Sequence, residues 1–352
     1  MTSSSEQGSR PPFIIIGENV HATRVFLRKG KRITSDPDGN EAISYRDGGE
    51  ERFLPIPDTV KTTQDYEEGR VKHVQVAIRA AMAGDDEGHR YLRSIVQRQE
   101  RAGAAFLDLN VDEISVNVAE QQEAMRFLVH TVAGISDLPL SIDSSLVDII
   151  RAGLEARADL PGGAGDSGEP WMLNSASLER LDALDLAVTH SACVVATAAG
   201  EEGMPDTADE RVANASRVVE AAVERGIPLD RIYIDPLVFP ISVDSRFGND
   251  CLAAVKQLRD RFGSEVHVTG GFSNVSFGMP QRRLINDTFV LLAFERGADS
   301  GIVDPVTSHL DEVFDMDRDS VRYRMAEDVL LGRDEYCAAF LQAHRNGELD
   351  GG

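Results

Sequence analysis

Cysteine is scarce in this chain. Cys193, Cys251 and Cys337 are the only three, far apart in sequence, with no C-x-x-C pair and no Cys/His cluster. That excludes a disulfide framework and gives no indication of a metal site. Basic residues are also in short supply: 36 Lys and Arg against 59 Asp and Glu leave a formal net charge of −23. Phosphate-rich partners need clustered Lys and Arg, so neither nucleic acid nor an anionic membrane is expected as a partner. No run of about 18 apolar residues occurs, and Met1 to Pro12 is polar and Ser-rich with no apolar core of a leader peptide. These absences predict a soluble, cytoplasmic protein. No G-x-x-x-x-G-K-[ST] string exists. The one G-x-G-x-x-G string, Gly163 to Gly168, follows no apolar strand and opens no helix, so it lacks the context of a dinucleotide fingerprint.

What is present is enough apolar material, 42% of 352 residues, for a large core. Short apolar runs that do not alternate read as buried parallel strands. They are Phe13–Ile16, Phe106–Leu109, Leu138–Ile142, Met172–Leu173, Leu186–Ala196, Arg231–Ile234, Val266–Val268 and Gly301–Val303. Helical spacing fills the intervals, as at Glu120–Val132, Ala208–Glu224, Asp250–Arg261 and Asn286–Arg296. Gly103, Gly226, Gly263 and Gly297 follow helices, where a left-handed residue is commonly needed. Alternating strands and helices indicate an α/β fold with a parallel sheet, and eight units suggest a closed (β/α)8 TIM barrel. The expectation is a single barrel domain over 1–352. It carries a polar insertion at 24–65 after strand 1, on the functional face or as a surface loop, and a flexible Gly-rich loop at 160–170. A C-terminal helical extension over 310–352 closes the barrel or pairs with another subunit.

In a parallel barrel the βα-loops converge at the C-terminal ends of the strands, and functional side chains gather there. Those ends read Gly17-Glu18-Asn19-Val20-His21, Asp108-Leu109-Asn110, Asp143-Ser144-Ser145, Asn174-Ser175, Asp235-Pro236, Gly270-Gly271-Phe272-Ser273-Asn274 and Asp304-Pro305. An isolated Asp or Asn there is often only a helix cap or a turn. Seven polar ends with almost no Lys or Arg suit a neutral heterocycle bearing several N–H donors. A carboxylate accepts two parallel N–H bonds from a 2-amino-pyrimidinone edge, and an Asn both donates and accepts.

Phe106-Leu107-Asp108-Leu109-Asn110, Leu140-Ser141-Ile142-Asp143-Ser144, Leu173-Asn174-Ser175, Ile234-Asp235-Pro236 and above all Gly270 to Asn286 carry a resemblance. From Ile14 to about Arg345, insertions aside, the chain resembles the methyltetrahydrofolate–corrinoid methyltransferase family. That family includes the folate module of cobalamin-dependent methionine synthase. The resemblance implies a pterin-binding barrel, a homodimer, and transfer of methyl between 5-methyltetrahydrofolate or tetrahydrofolate and a corrinoid (cobalamin) on a partner protein. By the same resemblance, Asp143, Asn174 and Asp235 hold the pterin edge, and Asn274 reaches the methyl-bearing ring nitrogen. Arg282 stands near the pterin, and Asp108 and Asn110 complete the polar floor. No Asp-x-His-x-x-Gly corrinoid-ligand motif is present, so the corrinoid is expected on another protein.

The first strand departs from the family's Gly-Glu-Arg-Ile-Asn ending: Asn19 stands for Arg and His21 for Asn. His21 is either a proton source at neutral pH or a simple hydrogen-bonding substitute. Rival readings are a dihydropteroate synthase-like enzyme, a non-catalytic folate-binding component of a demethylation complex, and an acceptor other than a corrinoid. The first would need basic residues where Pro236 to Pro240 and Asp304-Pro305 have none. The direction of transfer stays open.

Overall fold

The computed structural model describes residues 12–160 and 168–350. Most of the 160–170 loop, and Gly163 to Ser167 of its glycine string, therefore lie outside the described residues. Strand β1 (Ile14–His21) leads into an excursion comprising β2 (Val25–Leu27), β3 (Ile33–Ser35), β4 (Glu41–Asp47) and β5 (Glu50–Pro55). The short helices α1 (Asp58–Lys61) and α2 (Gln64–Glu67), then β6 (Arg70–Lys72), complete it. Helices α3 (His73–Met82) and α4 (Asp86–Arg101) return the chain to β7 (Phe106–Asn110). The repeat continues through α5 (Val118–Ala133), β8 (Leu140–Asp143), α6 (Val147–Ala156), β9 (Met172–Ala176), α7 (Ala183–Thr189) and β10 (Cys193–Thr197). It ends with α8 (Ala208–Glu224), β11 (Ile232–Asp235), α9 (Arg246–Phe262), β12 (His267–Val268), α10 (Arg282–Glu295) and β13 (Ser300–Val303). Helices α11 (Leu310–Phe314), α12 (Val321–Leu330) and α13 (Ala338–Arg345) follow.

Eight parallel strands form one sheet in the order β12-β11-β10-β9-β8-β7-β1-β13. The two ends meet where Gly271 bridges Ile302 and the Ile302 amide donates to the Gly270 carbonyl at 2.9 Å. The expected (β/α)8 barrel is thus present, with all its crossovers made by helices. Its core has two compartments. Ile16, Phe106, Met172, Cys193, Val195, Tyr233 and Ile302 pack together inside the barrel, while a larger cluster fills the space between strands and helices. The interior is filled with side chains rather than hollow, so the strand ends above it have a firm floor.

Local signals account for the helix limits. Thr207 and Glu210 make a reciprocal capping box at the start of α8, and Asn117 caps α5 through the Ala119 amide. Gly103, Gly226, Gly263 and Gly297 all have positive φ, between 67° and 105°, as their places after helices require. One expected element is different. Leu186 to Thr189 belong to α7, and the strand begins only at Cys193. Leu186–Ala196 is one apolar run because a buried helix end and a buried strand are both continuously apolar, and periodicity does not separate them.

The insertion is structured, with its first residues at the mouth and its antiparallel sheet on the flank of the barrel. Strands β3, β4 and β5 form an antiparallel sheet that packs against α4. Tyr45 meets Tyr91 edge to face at 4.8 Å, and Arg52 makes a two-pronged contact of 2.9 and 3.0 Å with Glu87. Strand β2 pairs with β6, and Phe26 stacks 3.8 Å above the buried His73. At the other end of the chain, α12 rests on α9 and α10. Gly248 permits this approach: a Cβ there would stand 2.4 Å from the Leu330 carbonyl oxygen.

Gly248→Ala should therefore cost about 2–3 kcal/mol, because the obstacle is backbone that cannot rotate away. Gly226→Ala meets nothing within 4 Å and should cost about 1 kcal/mol from its positive φ alone. Urea denaturation of both variants checks the pair. An equal loss at the two sites would mean that α12 is not seated tightly against α9.

Candidate functional site

The parallel register brings four polar strand ends to one height. His21 of β1 is level with Asn110 of β7, Asn110 with Asp143 of β8, and Asp143 with Asn174 of β9. Asp108, two residues before Asn110, points to the same face of its strand and is fully buried. Hydrogen bonds join them in two groups, His21 and Asn174 through Asp108, and Asn110 with Asp143. The His21 ring Nε2 lies 2.8 Å from Asp108 Oδ2, and the Asn110 amide donates to Asp143 at 2.9 Å. The Asn174 amide reaches Asp108 more weakly, at 3.4 Å. The Asn174–Ser175 peptide is cis.

The charge state of this floor follows from its burial. Burial, then repulsion by Asp108, pushes the Asp143 carboxyl up to about 7, although His21 and Asn110 act to lower it. Burial alone would lower the His21 pKa. The Asp108 hydrogen bond and the negative charges of Asp108, Asp143 and Glu18 outweigh it and raise the pKa above 6.5. His21, Asp108 and Asp143 each offer a ligand atom, all within 4.8 Å of one another. The His21–Asp108 hydrogen bond and the Asn110–Asp143 hydrogen bond hold these groups at that spacing.

Asp235 lies across the mouth, in no direct hydrogen bond with the floor network. It is level with Thr197 of β10, and the Thr269 amide donates to the adjacent Ile234 carbonyl at 2.8 Å. Asp235 accepts 2.8 Å from the Leu237 amide. Burial pushes its carboxyl up to about 6 against the pull of that amide and of Arg211. The hydroxyls of Thr197 and Thr269 are buried with no partner among the described residues, as is the Asn286 Oδ1.

A cavity of about 490 Å³ opens beside the floor, with His21, Asn274, Phe277, Arg282 and Asn286 among its walls. Asn274 sits in a single 3₁₀ turn, Phe272–Ser276, directly after β12. Gly271 makes room for it, since a Cβ there would stand 2.9 Å from the Asn274 amide nitrogen. The Asn274 carboxamide makes no hydrogen bond to a described residue and is free for a ligand. Arg282 is engaged differently. Its guanidinium donates to Ser276 Oγ and the Ser273 carbonyl, both at 3.0 Å, and lies 4.6 Å from the Phe277 ring centre. It braces the turn that carries Asn274.

A second cluster at the rim has little sequence signal. Arg24, the fourth residue of the 21–24 turn out of β1, donates to Asp304 at 2.6 Å and to Glu18 at 3.2 Å. Asn19 donates to Asp304 at 2.9 Å, and the Ser273 hydroxyl to Glu18 at 2.6 Å. These contacts tie the first, seventh and eighth barrel strands together above the closure point. Glu18, Asn19 and Asp304 stood among the polar strand ends, but Arg24 lies in a polar segment with nothing in its sequence to set it apart from Arg28 or Arg32.

The family described as "Pterin binding enzyme" matches residues 87–304. The chain is 28% identical over 282 residues to a protein named methylcorrinoid:tetrahydrofolate methyltransferase from Eubacterium limosum, covering 77% of this chain and 93% of that protein. It is 31% identical over 241 residues to methionine synthase from Mycobacterium leprae, a match that spans 64% of this chain and only 19% of the longer protein. Among solved structures, dihydropteroate synthase from Xanthomonas albilineans in complex with 7,8-dihydropteroate matches with a TM-score of 0.54. Identity is 20%, with 86% of this chain and 92% of that one covered, so the likeness is one of fold.

The Asp143 carboxyl generates a pH prediction. A folded-state value near 7 against an unfolded value of 3.8 means its ionisation opposes folding above pH 7, and this penalty disappears as pH falls towards 4. Asp143→Asn should stabilise the protein at pH 8 by on the order of 2 kcal/mol, with the gain vanishing near pH 4. Thermal melts at pH 4, 6 and 8 check this, and a pH-independent difference would contradict it.

Proposed function

The chain belongs to the pterin-binding enzymes, and from that premise we propose that it moves a methyl group between 5-methyltetrahydrofolate and a corrinoid carried by a separate protein. The observation that carries this reading is the free Asn274 carboxamide on the wall of a cavity that opens at His21, beside a row of carboxylates and carboxamides on the neighbouring strand ends. The similarity to the Eubacterium limosum methyltransferase over most of both chains supports it.

The pterin edge fits the donor set. Its amino and ring N–H groups would be accepted by Asp143 and Asp235, with Asn174 both donating and accepting between them. Asp108 and Asn110 hold Asp143 and Asn174 in place from below through the hydrogen bonds described above. The unpartnered hydroxyls of Thr197 and Thr269 and the Asn286 oxygen add further groups that a polar heterocycle or its tail could satisfy.

When bound, the corrinoid supplies the cobalt that accepts or donates the methyl. The chain's own residues orient the pterin and manage charge on its methyl-bearing nitrogen. A tertiary amine is a poor leaving group, so stabilisation of that nitrogen must grow towards the transition state. The Asn274 amide cannot act as an acid, but its dipole stabilises the partly charged ring in either direction of transfer. Arg282 fixes the turn that presents it. His21, held by Asp108 and with its affinity for a proton raised by that contact, serves as the proton source on the cavity wall. The protein acts as a homodimer with the corrinoid protein as partner. Among the described residues no helix is long and apolar enough to cross a membrane.

The direct test mixes the protein with cobalt(I) cobalamin and methyltetrahydrofolate and follows methylcobalamin formation spectroscopically. Asn274→Ala should lose at least about 2 kcal/mol of transition-state stabilisation, roughly thirtyfold in kcat/KM, with folate binding largely kept. Unchanged turnover removes Asn274 from the mechanism. For His21→Asn, the decline in rate as pH rises above neutrality should move or disappear. A wild-type pH–rate profile in that variant would leave His21 a hydrogen-bonding substitute and nothing more.

A further inference from the structure

Arg211, in the first turn of α8, is 0% exposed, and no carboxylate among the described residues pairs with it. A guanidinium buried in this way is unfavourable unless the surrounding structure uses its donors and its charge. Both are in use. One terminal nitrogen donates to the Pro236 carbonyl at 2.9 Å and also to the Leu237 carbonyl. The guanidinium carbon lies 4.6 Å from the centre of the Phe239 ring. The Nε and the other terminal nitrogen are buried without partners among the described residues.

The turn it grips is strained. Leu237 has a φ of 66°, a left-handed conformation that a branched side chain rarely adopts. In that conformation the Leu237 amide donates back to Asp235 Oδ1 at 2.8 Å. The Asp235–Leu237 turn is therefore held from both sides, by its own carboxylate and by Arg211.

We propose that Arg211 is a positioning residue for the pterin site, holding the Asp235–Leu237 turn so that Asp235 faces the mouth, with its buried positive charge close behind that turn. The inference rests on the reading of Asp235 as a pterin-holding carboxylate. Burial pushes Asp235 up to about 6, with the Leu237 amide and the Arg211 charge opposing. From α9, Cys251 also faces this region, but its thiol is pushed up to about 12 and stays neutral. Asp250 on the same helix is itself influenced by Arg211. Arginine suits the task better than lysine, because a flat guanidinium can donate to two carbonyls while stacking on Phe239.

Asp235 accepts pterin N–H groups only as a carboxylate, so removing the cation should move the pH dependence of pterin binding upward. The test measures tetrahydrofolate affinity by calorimetry from pH 5.5 to 8.5 for the wild type, Arg211→Gln, Arg211→Lys and Asp235→Asn, with a thermal melt of each. Asp143 titrates in the same range in every protein with an intact floor, so the difference between variants is the readout. Arg211→Gln should shift the midpoint up by about one pH unit, a loss of about tenfold in affinity on the acidic side. Arg211→Lys should keep the wild-type midpoint but bind several-fold more weakly throughout.

An unshifted midpoint in Arg211→Gln, even with a lowered melting temperature, would make Arg211 purely structural and overturn the inference. Should Arg211→Gln not fold, Arg211→Lys decides: wild-type affinity at every pH would overturn the positioning role, and uniform weakening would support it. Asp235→Asn separates the two levels. Undiminished binding there sinks the pterin-holding role of Asp235 itself, and with it the premise. Lost binding together with an unshifted Arg211→Gln sinks only the role of Arg211.

Discussion

Parallel pairing in register is the constraint on which the rest of this molecule depends. Strands β1, β7, β8 and β9 run side by side, so four side chains separated by as much as 153 positions, from His21 to Asn174, stand at one height. No local sequence contact could produce that row. It exists because the barrel closes, and closure is secured at one seam, where β13 meets the stretch after β12. The rim cluster of Glu18, Arg24, Asn19, Asp304 and Ser273 spans that seam. The polar residues at the mouth are thus fastening as well as site, and changes that loosen the seam would disturb the row indirectly.

The site carries more carboxyl groups than its nearby cations neutralise. Asp143 and Asp235 both sit where burial favours the neutral acid, and each is restrained by a different device. For Asp143 these are the His21 charge and the Asn110 amide; for Asp235 they are a backbone amide and the buried Arg211. On the proposed reading, a ligand with N–H donors at two edges would supply the missing stabilisation itself, and its binding would be linked to the ionisation of the floor. Such a pocket discriminates by hydrogen-bond complementarity, because an analogue without those donors would leave buried carboxyls unsatisfied.

Much of this was legible in the chain. The alternation of apolar runs with helical patterns and the glycines at 103, 226, 263 and 297 reported the barrel, and the polar residue after each run reported the mouth. These are properties that burial and backbone geometry impose locally. Three things were not legible. The α7–β10 boundary was hidden because both segments are wholly buried. The order within residues 25–72 was hidden because small antiparallel sheets with polar faces leave a weak pattern. Arg24 and Arg211 were hidden because an arginine is ordinarily solvated, and only a fold brings it against carboxylates or carbonyls from elsewhere in the chain. Arg282 illustrates the same limit: its place near the site follows from sequence, while its grip on Ser273 and Ser276 follows only from coordinates.

The insertion between β1 and α3 is anchored to the flank of the barrel, against α4; Thr23, Arg24 and Val25 line the cavity at the mouth, and Lys72 ties Asp65 to Glu113 in the loop after β7. Evolutionary change in this region is therefore partitioned. The antiparallel sheet of β3 to β5 sits on the flank, so changes in its turns lie away from the cavity lining. The short tether up to Val25 is held to the conformation that the seam demands.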